Sequence, residues 1–95
     1  LKITVKLYGI LRDLVKRETL ELSCEDGECV LYRIFEKIVQ TYPELKNYIN
    51  VVDKEIYVRG VNIIVNGRHI MFYDINEIVK EDLLIDILPP VSGGS

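Results

Sequence analysis

The chain has 95 residues, 48% of them apolar and 28% charged, with a formal charge of −3 at pH 7. That length supports one domain with a modest core, and a net negative charge without a basic run argues against a phosphate-backbone ligand. No apolar stretch is long enough to span a bilayer and no signal-peptide pattern opens the chain, so the expected compartment is the cytoplasm, with neither nucleic acid nor membrane as partner.

Isoleucine and valine are abundant and alanine is absent, which favours strands over a helical bundle because β-branched residues suit pleated, half-buried surfaces. Lys2 to Tyr8 alternates, with Ile3, Val5 and Leu7 on one face and Lys2, Thr4, Lys6 and Tyr8 on the other. That is the pattern of a strand with one buried side. Gly9 to Arg17 reads as a connection containing a helical turn. Thr19 to Ser23 reads as a second strand, with Leu20 and Leu22 inward, forming a long-looped hairpin with the first. Glu25-Asp26-Gly27 is a turn signal. The acidic residues Glu25, Asp26 and Glu28 precede a helix, where negative charge complements the helix dipole.

The period then changes. Leu31, Ile34, Phe35, Ile38, Val39 and Tyr42 follow a helical spacing and make one wide apolar stripe. Pro43 stops this helix, and Leu45 to Ile49 adds a short helical turn. Val51 to Arg59 reads as a loop with an edge strand. Val61 to Val65 is a strand, Asn66-Gly67 a strong hairpin turn, and Ile70 to Tyr73 the expected answering strand. Asp74 to Asp82 forms a polar loop around Ile75, Ile78 and Val79, and Leu83 to Leu88 the last strand, with Ile85 and Ile87 inward. The order predicts an α+β fold, a mixed sheet with one main helix packed on one face.

Chemistry-bearing side chains are sparse. Cys24 and Cys29 are the only cysteines and His69 the only histidine, too few for a four-ligand zinc site without help from carboxylates, so no metal is expected. The two cysteines read as structural thiols, with a disulfide as the other option. No paired carboxylates, nucleophile–base pair or phosphate loop stand out. Asp82 and Asp86 read as solvated. An enzyme in its own right is therefore not expected.

The informative segment is the end. The strand runs into Pro89-Pro90-Val91-Ser92-Gly93-Gly94-Ser95. Two prolines end sheet pairing and favour extended backbone, and two glycines leave the chain thin enough for a narrow passage. Fully extended, these seven residues span roughly 20–25 Å. The expected division is a domain over residues 1–88 and a flexible tail over residues 89–95.

The hairpin at Val65-Asn66-Gly67-Arg68-His69-Ile70, the polar loop, the final strand and the Pro-Pro-Val-Ser-Gly-Gly ending, with Val5-Lys6-Leu7-Tyr8 and Arg12-Asp13-Leu14 near the start, resemble the MoaD/ThiS family of β-grasp sulfur carriers. Through them the chain resembles ubiquitin-like proteins, including the archaeal small modifier proteins. One departure is Glu81-Asp82, where the family usually has Gly-Asp. Another is Ser95, because the family acts through a free terminal glycine carboxylate.

The resemblance implies a β-grasp (ubiquitin-like) fold and a carrier that binds no cofactor itself. A ubiquitin-activating-type enzyme would use ATP to adenylate Gly94, with Gly93 beside it, after a processing protease removes Ser95. The acyl group would then become a thiocarboxylate that serves the large molybdopterin synthase subunit in molybdenum cofactor biosynthesis. The alternative is a modifier attached to lysines of target proteins, with a part in tRNA thiolation. A third reading is an interaction module that is never conjugated. The resemblance also implies side-by-side parallel first and last strands. Strand parity then points Tyr8 and Leu88 outward near the tail, where with Pro89, Pro90 and Val91 they make the expected partner-binding surface.

Overall fold

The computed structural model describes residues 1–89. Its first strand, β1 (Lys2–Leu7), is followed by helix α1 (Gly9–Val15), strand β2 (Thr19–Ser23), helix α2 (Leu31–Thr41), a short 3-10 helix (Pro43–Asn47), strands β3 (Ile49–Val52), β4 (Glu55–Val58), β5 (Asn62–Val65) and β6 (Arg68–His69), a second 3-10 helix (Ile70–Phe72) and strand β7 (Leu83–Leu88). Five strands form one mixed sheet in the order β2-β1-β7-β5-β6. At its centre β1 runs parallel to β7, from Ile3 opposite Leu83 to Leu7 opposite Ile87. The neighbours β2 and β5 are antiparallel to this pair. This is the expected β-grasp arrangement.

The alternation in the sequence sets the two faces. Ile3, Val5 and Leu7 of β1, Ile63 and Val65 of β5, and Leu83, Ile85 and Ile87 of β7 are buried, together with Leu31, Ile34, Phe35, Ile38 and Val39 of α2. The helix therefore lies with its whole apolar stripe against one face of the sheet. Removing such side chains from water is the main favourable term, at about 25 cal/mol per Å² of apolar surface. Phe35 is fully buried at the middle of that stripe.

Several elements differ from the sequence expectation. The connection after β1 holds a full helix, with Leu11 and Val15 buried and Lys16 closing it in the left-handed conformation (φ 64°). The helical turn expected at Leu45 to Ile49 begins instead at Pro43, whose fixed φ suits a first helical position. Residues 51–59 belong to a separate antiparallel hairpin of β3 and β4, with Ile49 opposite Val58. Its turn residues Asp53 and Lys54 both have positive φ, at 52° and 64°. That is the type I′ geometry normally signalled by glycine or asparagine.

Asn66-Gly67 does make the expected turn, with φ of 47° and 81°. The answering strand is shorter than expected, because only Arg68 and His69 pair with β5. The ring Nδ1 of His69 accepts from the Met71 backbone N–H at 3.1 Å, which caps a 3-10 turn where a strand through Tyr73 was expected. In the following loop, Tyr32 N–H donates to the Ile75 carbonyl and Val79 N–H to the Cys29 carbonyl. These bonds hold the loop against the start of α2. Ile75 and Val79 pack on the core, whereas Ile78 is exposed.

The cysteines correct a second expectation. Cys24 and Cys29 are joined by a disulfide rather than standing as two thiols. The turn between β2 and α2 brings their Cα atoms to 5.7 Å, inside the span a disulfide bridges. Among the described residues no helix is long and apolar enough to cross a membrane.

The disulfide closes a short loop, so its removal of unfolded-state entropy amounts to about 2 kcal/mol. Reduction is expected to lower the unfolding free energy by that amount while the native spectrum persists. Urea titrations with and without a phosphine reductant check this, and coincident curves would refute it.

Candidate functional site

The candidate site is the end of the sheet at which Leu88 runs into Pro89. Because β1 and β7 are parallel, both finish at the same edge, and the residues just past their last pair emerge side by side. Alternation turns Leu7 and Ile87 into the core and the next residue of each strand outward. Tyr8 is 38% exposed and Leu88 37% exposed. The chain then diverges: Tyr8 leads into α1, and Leu88 leads into Pro89.

Pro89 is half-buried, and its position explains a glycine. Gly9 has φ +56°, and a Cβ built on it would stand 3.0 Å from Pro89 Cγ. The first tail proline is seated against bare backbone at the start of α1. A glycine is required there on two counts, the left-handed φ and the close approach.

A polar contact crosses the same edge. The Tyr8 hydroxyl donates to Asp86 Oδ1 at 2.6 Å. Asp86 lies on the outer face, between Lys6 of β1 and Ile64 of β5 in register. Leu84 and Leu88, two residues to either side on the same strand, share that face and are exposed. The phenol of Tyr8 is held above the ordinary tyrosine value, first by donating to Asp86, then by partial burial and the charge of the same carboxylate. It therefore remains a neutral donor throughout the neutral range.

Of the expected site residues, the structure brings together Tyr8, Leu88 and Pro89. Pro90, Val91, Gly93 and Gly94 lie outside the described residues, as does the rest of the expected flexible tail. Two members were missed from the sequence. Asp86 shares the parity of Leu88, which was the available signal. Gly9 carried no signal, since its neighbour Pro89 is distant in sequence. The departure at Glu81-Asp82 also has a structural counterpart. Asp82 Oδ1 accepts from the Lys2 backbone N–H at 2.8 Å, and the Asn66 side chain donates to Glu81 Oε1 and to the Asp82 carbonyl, both at 3.3 Å.

The β-grasp fold is also what the comparisons with known proteins show. The model of the ThiS family matches residues 5–94. The chain belongs to the ThiS family. Among solved structures it is similar to the small archaeal modifier protein 1 of Methanosarcina acetivorans, with 30% identity over 98% of this chain and 96% of that one, at a TM-score of 0.71. It is also similar to a Pyrococcus furiosus protein assigned as molybdopterin converting factor, subunit 1, with 25% identity over 96% and 99% of the two chains and a TM-score of 0.69. A third is found in the complex of subunits 1 and 2 of the molybdopterin-converting factor from Helicobacter pylori, at 24% identity over 99% and 100% of the chains and a TM-score of 0.58. Comparison with curated proteins gives no match. As a ThiS-family chain it is of the ubiquitin-like carrier and modifier kind, and similar chains are found bound to partner proteins.

Two outcomes follow from this geometry. Gly9→Ala forces a Cβ into the left-handed region and against Pro89, and is expected to cost about 1–2 kcal/mol of stability. Chemical denaturation measures it, and an unchanged midpoint would count against the seat. The Tyr8 phenol titrates above its ordinary 10.0, so its contribution to stability is complete below that pH and is lost as pH rises through the higher folded value. Asp86→Ala should return the Tyr8 ring-carbon titration, followed by NMR, towards that of a free tyrosine.

Proposed function

We propose that this chain is a sulfur carrier of the MoaD type whose reactive group is the carboxylate of Gly94. The observation that carries the reading is the placement of the tail root. The ThiS-family chain leaves the sheet from its central parallel pair, beside an exposed Tyr8 and Leu88 and with Pro89 seated on Gly9. A chain end that must enter another protein's active site needs a docking surface at its base and thinness at its tip, and no catalytic side chain of its own.

The chemistry begins with cleavage of the Gly94–Ser95 peptide bond by a processing protease, because an amide carbonyl there offers no carboxylate. The freed carboxylate attacks the α-phosphorus of ATP in a ubiquitin-activating-type enzyme, releasing pyrophosphate and leaving an acyl-adenylate. A sulfur nucleophile then displaces AMP to give the thiocarboxylate. That product donates sulfur in the large molybdopterin synthase subunit, in keeping with the resemblance to subunit 1 of a molybdopterin converting factor. The carrier binds no cofactor and the ATP belongs to the activating enzyme.

The second reading shares every step up to the adenylate. A lysine amine of a target protein then displaces AMP and the chain becomes a modifier. It is favoured by the 30% identity to a small archaeal modifier protein.

Intact mass of the untagged chain from its own cells separates the two. Replacement of one oxygen by sulfur on a chain ending at Gly94 is the expected result, whereas a ladder of conjugates selects the modifier. Retention of Ser95 without any adduct would defeat both. Gly94→Val is expected to fold with unchanged stability and to accept no adenylate, since a branched side chain blocks the thin end.

A further inference from the structure

The outer face beside Pro89 contains a carboxylate, Asp86, set among largely apolar neighbours with Lys6 opposite it in register. On one side of β7, Leu84, Asp86 and Leu88 follow one another at alternate positions, with Ile64 across from Asp86 on β5 and Tyr8 next to the strand end. Leu84, Leu88 and Tyr8 are exposed and Ile64 is half-buried. A partner that covers these side chains must also cover the carboxylate in their midst. Stripping water from an unpaired carboxylate is costly, so an interface that buried it without a counter-charge would be weakened.

Among the described residues no ion pair supplies that counter-charge. Lys6 stands opposite Asp86 in register, yet the ion pairs among the described residues are Lys2–Glu21 and Arg12–Asp13, and neither involves Asp86. Among the described residues the one hydrogen bond to the carboxylate comes from the neutral Tyr8 hydroxyl, at Oδ1. That bond fixes the carboxylate beside an aromatic ring and leaves its other oxygen with lone pairs to offer.

We infer that Tyr8 and Asp86 form a receptor for an arginine side chain of the activating enzyme, and that this contact selects the partner at the tail root. The inference rests on the carrier function above and names the partner group of that same surface. Arginine fits better than lysine. Its planar guanidinium donates to a carboxylate while stacking on an aromatic ring, and it loses less hydration than an ammonium when buried. The activating enzyme is the relevant partner because carrier and modifier chemistry both begin there.

The test is ATP–pyrophosphate exchange by the ubiquitin-activating-type enzyme of the same organism, with the chain ending at Gly94 as the varied substrate. Asp86→Asn keeps an acceptor for the Tyr8 hydroxyl and removes only the charge. It is expected to raise the KM for the carrier about tenfold, with kcat within about twofold of wild type, and to flatten the salt dependence of KM. Lys6→Gln should leave KM unchanged or lower it.

Replacing the exposed arginines of the enzyme one at a time by glutamine should reveal one whose loss mimics Asp86→Asn and adds nothing to it. If Asp86→Asn leaves KM unchanged, or Lys6→Gln raises it equally, the arginine receptor is wrong although the carrier function stands. If every arginine effect is additive with Asp86→Asn, the receptor is likewise wrong. If the wild-type chain supports no exchange, the function falls and the inference with it.

Discussion

The parallel pairing of β1 with β7 is the constraint on which the rest of the molecule depends. It joins the first strand to the last, with Ile3 to Leu7 in register against Leu83 to Ile87, and every other strand of the main sheet attaches to one of these two, β6 excepted through β5. Parallel strands need a long crossover, and here almost the whole chain provides it, including the helix that covers the inner face. Long-range pairing of this kind must form before its contacts are rewarded. The same pairing also places the candidate site, since two parallel strands end at one edge. The position of Pro89 and the surface around it are therefore consequences of a single hydrogen-bonded ladder.

The ladder separates two demands that would otherwise conflict. Odd-numbered positions of β1 and β7 are committed to the core, and nothing polar or charged is buried among the described residues. The intervening positions are free to vary without disturbing that core. Tyr8, Leu84, Asp86 and Leu88 occupy such positions. An outer face built this way is rigid because its backbone is central strand, not loop. Rigidity lowers the ordering cost of association, leaving more of the contact energy to appear as affinity.

How much of this could be read beforehand follows from the range of each signal. Alternation has a period of two, so β1, β5 and β7 and the outward direction of Tyr8 and Leu88 were legible from local residues alone. The stripe from Leu31 to Tyr42 was legible for the same reason. The β3–β4 hairpin was not, because Asp53-Lys54 adopts a turn geometry that its composition advertises poorly. The early end of β6 depends on a histidine ring accepting a backbone proton two residues on, a capping role usually sought in serine, threonine or aspartate. The seat of Pro89 on Gly9 and the Tyr8–Asp86 bond join residues at opposite ends of the chain. No local pattern reports such contacts. Both followed only once the register of β1 against β7 was known.

Asp86 shows why register matters more than residue type at this site. Read alone, an aspartate near the end of a strand is a solvated surface charge, and most are. Its neighbours change the meaning. With leucines two places before and after it on the same face, an isoleucine across from it on β5 and Lys6 across from it on β1 but not ion-paired to it, the carboxylate interrupts a largely apolar surface. The Tyr8 hydroxyl then holds it in place without neutralising it. An apolar patch alone would attract any partner with a complementary shape, and a charge alone would be screened by salt. Set together, the patch supplies the drive to dock and the charge penalises every partner that brings no cation. Specificity at the root of the tail then comes from the cost of the wrong match as well as from the gain of the right one.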